Sequence, residues 1–175
     1  EGDMANIAWD AVSGEALAPE KVQEARRAEM CYYSKMGVYR KVPISERIAK
    51  TGKAPIGVRW VDVNKGDRKS PLYRSRLVAK EFRKQKDDDL YAATPPIETV
   101  RAVVSSATTG SREKGIMVND VSRAYMYADC EGDMYVDLCD EDRTQECDKG
   151  MCGKLVKAMY GTRLAAKMWQ KEGTQ

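Results

Sequence analysis

The 175-residue chain contains no histidine. That removes Ser-His-Asp and Cys-His nucleophile systems and every His-ligated metal centre, so any chemistry must rest on carboxylates, backbone groups or a bound metal. Long apolar runs are missing as well. Nothing approaches the roughly 18 apolar residues that span a bilayer, and neither a basic-then-apolar leader nor a lipidation signal is present, which sets the expectation of no membrane partner. Cysteine is sparse and odd in number, with Cys31, Cys130, Cys139, Cys147 and Cys152 at irregular spacing. Reduced thiols and an intracellular location, cytoplasmic or nuclear, are the expectation. The last four cysteines lack the close Cys-x-x-Cys pairs of a structural zinc module. The acidic stretch 140–148 is not a calcium hand, because its sixth position is Gln145 rather than Gly and its twelfth is Met151 rather than Glu. No internal repeat or low-complexity tract appears.

What is present suits one domain with its own core: 42% of residues are apolar and 33% charged. The net charge is only +3, but it is unevenly placed. Residues 59–86 hold ten Lys/Arg against three Asp/Glu, and residues 130–148 hold eight acids against one Arg. One part of the molecule therefore attracts phosphates and another repels them. The first residues, Glu1-Gly-Asp-Met4, and the helical pattern near the last residues read as a piece of a longer chain.

Residues 1–18 show no sustained period and read as a lead-in, with Trp9 as an anchor. Pro19 then opens a helix, since Pro suits the first helical position; Val22, Ala25, Tyr32, Tyr33 and Met36 share a face until Gly37 stops the run. A short strand is expected over 38–44. Two more, 56–63 and 72–80, flank an Asn/Gly/Asp/Ser/Pro cluster and predict a hairpin. The period of two puts Arg74, Arg76, Val78 and Lys80 on one face of the second arm. A cationic face of this kind, with Lys65, Arg68 and Lys69 at the tip, suits a phosphate-rich ligand; cations on an edge strand can also serve only to block pairing with another chain. After a charged connection over 83–91, Thr94-Pro-Pro96 starts a helix whose Ile97, Val100, Val103, Val104 and Ala107 predict a core face. Residues 134–138 read as a strand, 154–159 as an apolar segment turned at Tyr160-Gly161, and 164–171 as a helix anchored by Trp169.

The stretch 115–127 organises the rest. Ile116, Met117 and Val118 read as a buried strand that runs into Asn119-Asp120 and then into a helix over 121–127. A polar pair at a buried strand end is costly unless something compensates it. A metal ion would do so. A plain N-cap role for Asp120 would do so equally well.

Four separated blocks carry a resemblance: Val58-Arg-Trp-Val61, Tyr73-Arg-Ser-Arg-Leu-Val-Ala-Lys-Glu-Phe82, Asn119-Asp-Val-Ser-Arg-Ala-Tyr-Met126, and Ala158-Met-Tyr-Gly-Thr-Arg163 with Trp169. In that order and spacing they resemble the reverse transcriptase domain of copia-type long-terminal-repeat retrotransposons, from about Trp9 to Trp169. The resemblance implies an α+β fold of antiparallel strands with packed helices: the fingers and first half of the palm of a right-hand polymerase, over 19–175. It implies RNA-directed DNA synthesis on an RNA template and DNA primer from deoxynucleoside triphosphates, with two magnesium ions and no need of His. It also implies integrase and ribonuclease H regions in the same polyprotein. Asp120 matches the first catalytic carboxylate, with the Val121 carbonyl as a further metal ligand. Tyr125 matches the aromatic beneath the incoming sugar, and the Arg123 and Ala124 backbone amides are expected at the triphosphate. Arg74, Arg76 and Lys80 fall in the hairpin that closes on it, and Tyr160 and Gly161 belong to the Tyr-Gly block near the nucleotide.

The family's other metal carboxylates lie in a downstream Tyr-x-Asp-Asp box, absent from these 175 residues, so the expectation is a fragment truncated before it and inactive by itself. Glu81 stands where the family has Gly, and Leu164 and Ala166 where it has Gln and Pro. The alternative reading is a non-catalytic nucleic-acid-binding fragment that uses the basic hairpin 56–80.

Overall fold

The structure, a computed structural model, describes residues 7–82, 96–109, 114–118 and 120–172. The connection expected over 83–91, the Thr94 cap and Asn119 lie outside them. Helix α1 runs Pro19–Met36 with Pro at its start, and Gly37 ends it in the left-handed conformation at φ 61°. Strand β1 (Tyr39–Pro43) leads directly into α2 (Ile44–Thr51). Strands β2 (Val58–Asn64) and β3 (Tyr73–Ala79) form the antiparallel hairpin, in register from Val58 opposite Ala79 to Asn64 opposite Tyr73. Helix α3 (Ile97–Thr108), the two-residue strand β4 (Tyr135–Val136), β5 (Met151–Leu155) and α4 (Ala165–Glu172) complete the order. The fold is α+β. A three-stranded antiparallel sheet in the order β1-β5-β4 stands beside the hairpin. Ile56 bridges the two, since its N–H donates to the Tyr135 carbonyl and its own carbonyl accepts from Asp137.

The main core lies between α1, the inner face of β3 and the sheet. Met30, Tyr33, Val38, Leu77, Ala79, Met126, Val136, Cys139, Leu155 and Met159 form it, and the buried Tyr33 hydroxyl donates to the Leu77 carbonyl at 3.0 Å. A polar cluster joins α1 to both hairpin strands. Arg26 donates to Asp62 at 2.7 Å and to Glu141 at 3.1 Å, Ser75 donates to Asp62 at 2.6 Å, and the Trp60 indole donates to Glu141 at 2.8 Å. Such a desolvated ion pair resists removal of either partner, because the charge left behind stays buried. The hairpin is thereby fixed in angle against α1. No helix of the described residues is long and apolar enough to cross a membrane, and all five cysteines are free thiols.

Four expectations need correction. Trp9 does not anchor the lead-in: it is 60% exposed, and Ala8 and Leu17 are buried instead against Val22 and Tyr73. The lead-in is held by polar contacts, with the Asp10 carboxylate accepting the N–H of Asn64, Ser13 and Val12, which holds its pKa below the usual carboxylate range. Residues 116–118 form no strand and are exposed, Val118 to 88%. Helix α3 forms where the period placed it, but Ile97, Val100, Val103 and Val104 are exposed rather than core. Both differences have one physical cause: an apolar pattern states which face can be buried, and burial needs a second surface that the described residues do not place there. The fourth correction concerns the helix expected over 121–127, which is a single 3-10 turn at Ala124–Tyr127.

Candidate functional site

The period of two in β3 determines where the cations go. Ser75, Leu77 and Ala79 point into the core, so Arg74, Arg76 and Val78 take the opposite face. The Arg76 guanidinium lies 5.3 Å from the centroid of the Tyr160 ring, a cation–π contact. The Tyr125 ring meets the same Tyr160, with centroids 5.1 Å apart and planes tilted by 59°. Burial raises the Tyr160 phenol above its ordinary pKa, opposed by the positive charges of Arg76, Arg74 and Arg123 and reinforced by Glu29. Three widely separated stretches therefore meet on one tyrosine. Lys80 is apart from them: its N–H donates to the Gly57 carbonyl, its side chain lies over Gly57, and it is exposed.

The turn at Tyr160-Gly161 is tied to the hairpin through its backbone. Ala79 donates to the Tyr160 carbonyl at 2.8 Å, and Gly161 sits at φ 80° so close to the Ala79 carbonyl that no Cβ fits. Glu81, the departure from the family pattern, has a place here, since its carboxylate accepts the Arg163 N–H at 2.8 Å. Its charge fastens the end of β3 to the residues after Gly161.

Ala124 and Tyr125 are half-buried at the start of the 3-10 turn, and Met126 is fully buried beneath them. Arg123 occupies the N-cap position at φ 56°, the one non-glycine residue with positive φ among the described residues. Its side chain turns inward. Nε and Nη2 donate to Glu29 Oε2 at 2.9 and 2.7 Å, and the guanidinium stacks 4.2 Å from the Tyr32 ring centroid. The sequence places Tyr32 on the packed face of this helix but gives no sign of Glu29, because a charged residue on a surface-like helix carries no local signal of burial.

Asp120 lies before this turn, exposed, with no hydrogen bond or ion pair among the described residues. The turn's N-cap is Arg123, so the capping role for Asp120 does not hold. An exposed, unpaired carboxylate offers the hard oxygen ligand that a magnesium ion takes, and Asp120 fits one ligand position. It is not a centre: no three acidic, cysteine or histidine side chains gather to hold a metal among the described residues. A cleft of about 500 Å³ lies between the lead-in and the hairpin tip, lined by Asp10, Glu15, Lys65, Arg68 and Tyr73 among others; it takes in two of the tip cations, but neither Asp120, Arg74, Arg76 and Lys80 nor Tyr125 and Tyr160 line it.

A family model described as reverse transcriptase (RNA-dependent DNA polymerase) matches residues 46–175, well over half of the chain. The chain belongs to that reverse transcriptase family. No curated protein and no solved structure matches it.

Proposed function

We propose that the chain is the fingers and first half of the palm of a copia-type retrotransposon RNA-directed DNA polymerase. The observation that carries this reading is the meeting of Arg76 and Tyr125 on Tyr160, with Arg74 alongside, because it joins three of the family blocks into one cationic and aromatic surface, the Tyr125 block being the one that also contains Asp120. On this reading Arg74 and Arg76 attract the triphosphate, Tyr125 lies beneath the sugar, and the Tyr160-Gly161 turn supports both. Asp120 and the Val121 carbonyl would hold magnesium, which supplies charge neutralisation at the reacting phosphate when bound. The template is RNA, the primer DNA, and the natural setting an intracellular polyprotein with integrase and ribonuclease H. These 175 residues carry no Tyr-x-Asp-Asp pair, so by themselves they are expected to bind and not to extend a primer.

Binding to a primer–template tests the surface. Each phosphate contact contributes about 0.9 unit of log–log salt slope. Replacing Arg74 and Arg76 together by Ala is expected to flatten the slope by about 1 to 2 units, and Lys80→Ala by less, since that side chain lies over Gly57 rather than beside Tyr160. A slope unchanged in the double variant would show that this face meets something other than nucleic acid. A second reading, a binding module without catalysis, is favoured by the finding that no three acidic, cysteine or histidine side chains gather to hold a metal among the described residues. Primer extension separates the two, since a binding module keeps salt-sensitive affinity and synthesises nothing even when joined to the missing pair.

A further inference from the structure

The buried carboxylate of Glu29 is unexplained by the fold. It is 3% exposed on α1, one oxygen takes both bonds from Arg123, and Oε1 has no hydrogen-bond partner among the described residues. An apolar side chain would fill that space without the cost of desolvating a charge. The residue it holds is the strained one. An L-residue at φ 56° is disfavoured in the left-handed region, and Arg123 has no Asn-like or Gly-like tolerance of it. Beyond Arg123 the chain enters the turn that carries Tyr125 to Tyr160. The same face of α1 grips the far end of the turn, with Tyr32 and Tyr127 hydroxyls 3.4 Å apart and Tyr32 stacked on Arg123. Residues 29 and 32 are three apart and so are neighbours on the helix surface.

We propose that Glu29 is a positioning residue: by holding the Arg123 guanidinium against Tyr32 it keeps residue 123 in the left-handed conformation that directs the turn, and with it Tyr125, onto Tyr160. The proposal rests on the nucleotide-site reading for its consequence, though not for its geometry. It gives a role to α1, which lies before the matched residues 46–175. Arg123 then acts through its backbone setting, and its guanidinium is committed to Glu29 rather than to a phosphate.

The test compares glycine with alanine at position 123 once the charge at 29 is gone. Glycine adopts the left-handed conformation freely and alanine does not. The readouts are the nuclear Overhauser contact between the Tyr125 and Tyr160 rings and the affinity of the 175-residue chain for magnesium–dTTP. Glu29→Gln is expected to lose the ring contact and to weaken dTTP binding about tenfold, the size of a typical left-handed penalty. Glu29→Gln with Arg123→Gly should restore both to within about twofold, while Glu29→Gln with Arg123→Ala should not. Equal behaviour of the glycine and alanine double variants would overturn the proposal, as would a ring contact undisturbed in Glu29→Gln. Should the single variant fail to fold, the two double variants, which bury no unpaired charge, still decide. A wild-type chain that shows the ring contact and binds no dTTP would sink the nucleotide reading and leave the positioning role standing.

Discussion

Asp120→Asn is expected to leave the chain folded and to abolish nearly all synthesis in a polymerase that contains it. The fold half of this follows from exposure: the carboxylate has no partner among the described residues and does not cap the turn, whose N-cap is Arg123. Surface substitutions of this sort change stability by no more than about 0.5 kcal/mol, so the melting temperature of the variant should match the parent within a few degrees. The activity half follows from charge. Asn keeps the size of the side chain but cannot supply the negative oxygen that a magnesium ion at the reacting phosphate needs. Joining residues 1–175 to a family segment that bears the Tyr-x-Asp-Asp pair gives the chain in which to measure it. Incorporation should fall by about 10³-fold, on the scale of losing one electrostatic stabiliser of a transition state or somewhat beyond. Near-parental synthesis by a folded Asn variant would remove Asp120 from the metal and leave the cluster on Tyr160 as a binding surface only.

Local signals were legible in the sequence, and those that depend on a second surface were not. The bounds of α1 are written in Pro19 and Gly37, because a helix start and a left-handed stop are decided by the residues themselves. The hairpin is equally local: alternation in β3 fixed which side Arg74 and Arg76 take, and the intervening Asn64 side chain closes the loop by accepting the N–H of Gly66 and Leu72. Helix α2 lies where the sequence pattern predicts only a short strand over 38–44: Pro43, the last residue of β1, also serves as the N-cap of the next helix, at φ −61°. The apolar residues 116–118 and the stripe on α3 show the opposite failure. Their pattern was read rightly and their burial wrongly, as a hydrophobic face does not name what covers it.

The site divides along the same line. That Arg76, Tyr125 and Tyr160 belong together came from the resemblance and not from any spacing, because 49 residues separate the first two and 35 the last two. Their physical meeting needs the core to dock β3 beside the turn after β5, a tertiary event with no local signature. Glu29 illustrates the limit most clearly. On a helix rich in Glu, Arg and Lys it looks like one more solvated charge, and only its 3% exposure marks it as different.

Gly161→Val is expected to be the most damaging single change to the fold among those considered, and it tests whether the Tyr160 turn and the hairpin are one unit. Two penalties fall on the same residue. The backbone sits at φ 80°, where a β-branched side chain is strained by roughly 1–2 kcal/mol, and any Cβ would collide with the Ala79 carbonyl oxygen and the Val78 side chain. Relief of the collision means separating the turn from β3, which breaks the bond from Ala79 N–H to the Tyr160 carbonyl and pulls the Glu81 carboxylate from Arg163 N–H. With overpacking costing about 1–3 kcal/mol, the loss should reach about 3 kcal/mol or more, a large part of the roughly 5–15 kcal/mol that holds a domain of this size. Strain and collision can be told apart at Gly52, which has φ 64° and open space where a Cβ would stand. Gly52→Ala should therefore cost only about 1 kcal/mol, and Gly161→Ala clearly more. Chemical denaturation of the two alanine variants gives the comparison directly. Equal midpoints would mean that the turn moves aside at no expense, so that β3 and Tyr160 are not locked together and Arg76 is free to leave the ring it now faces.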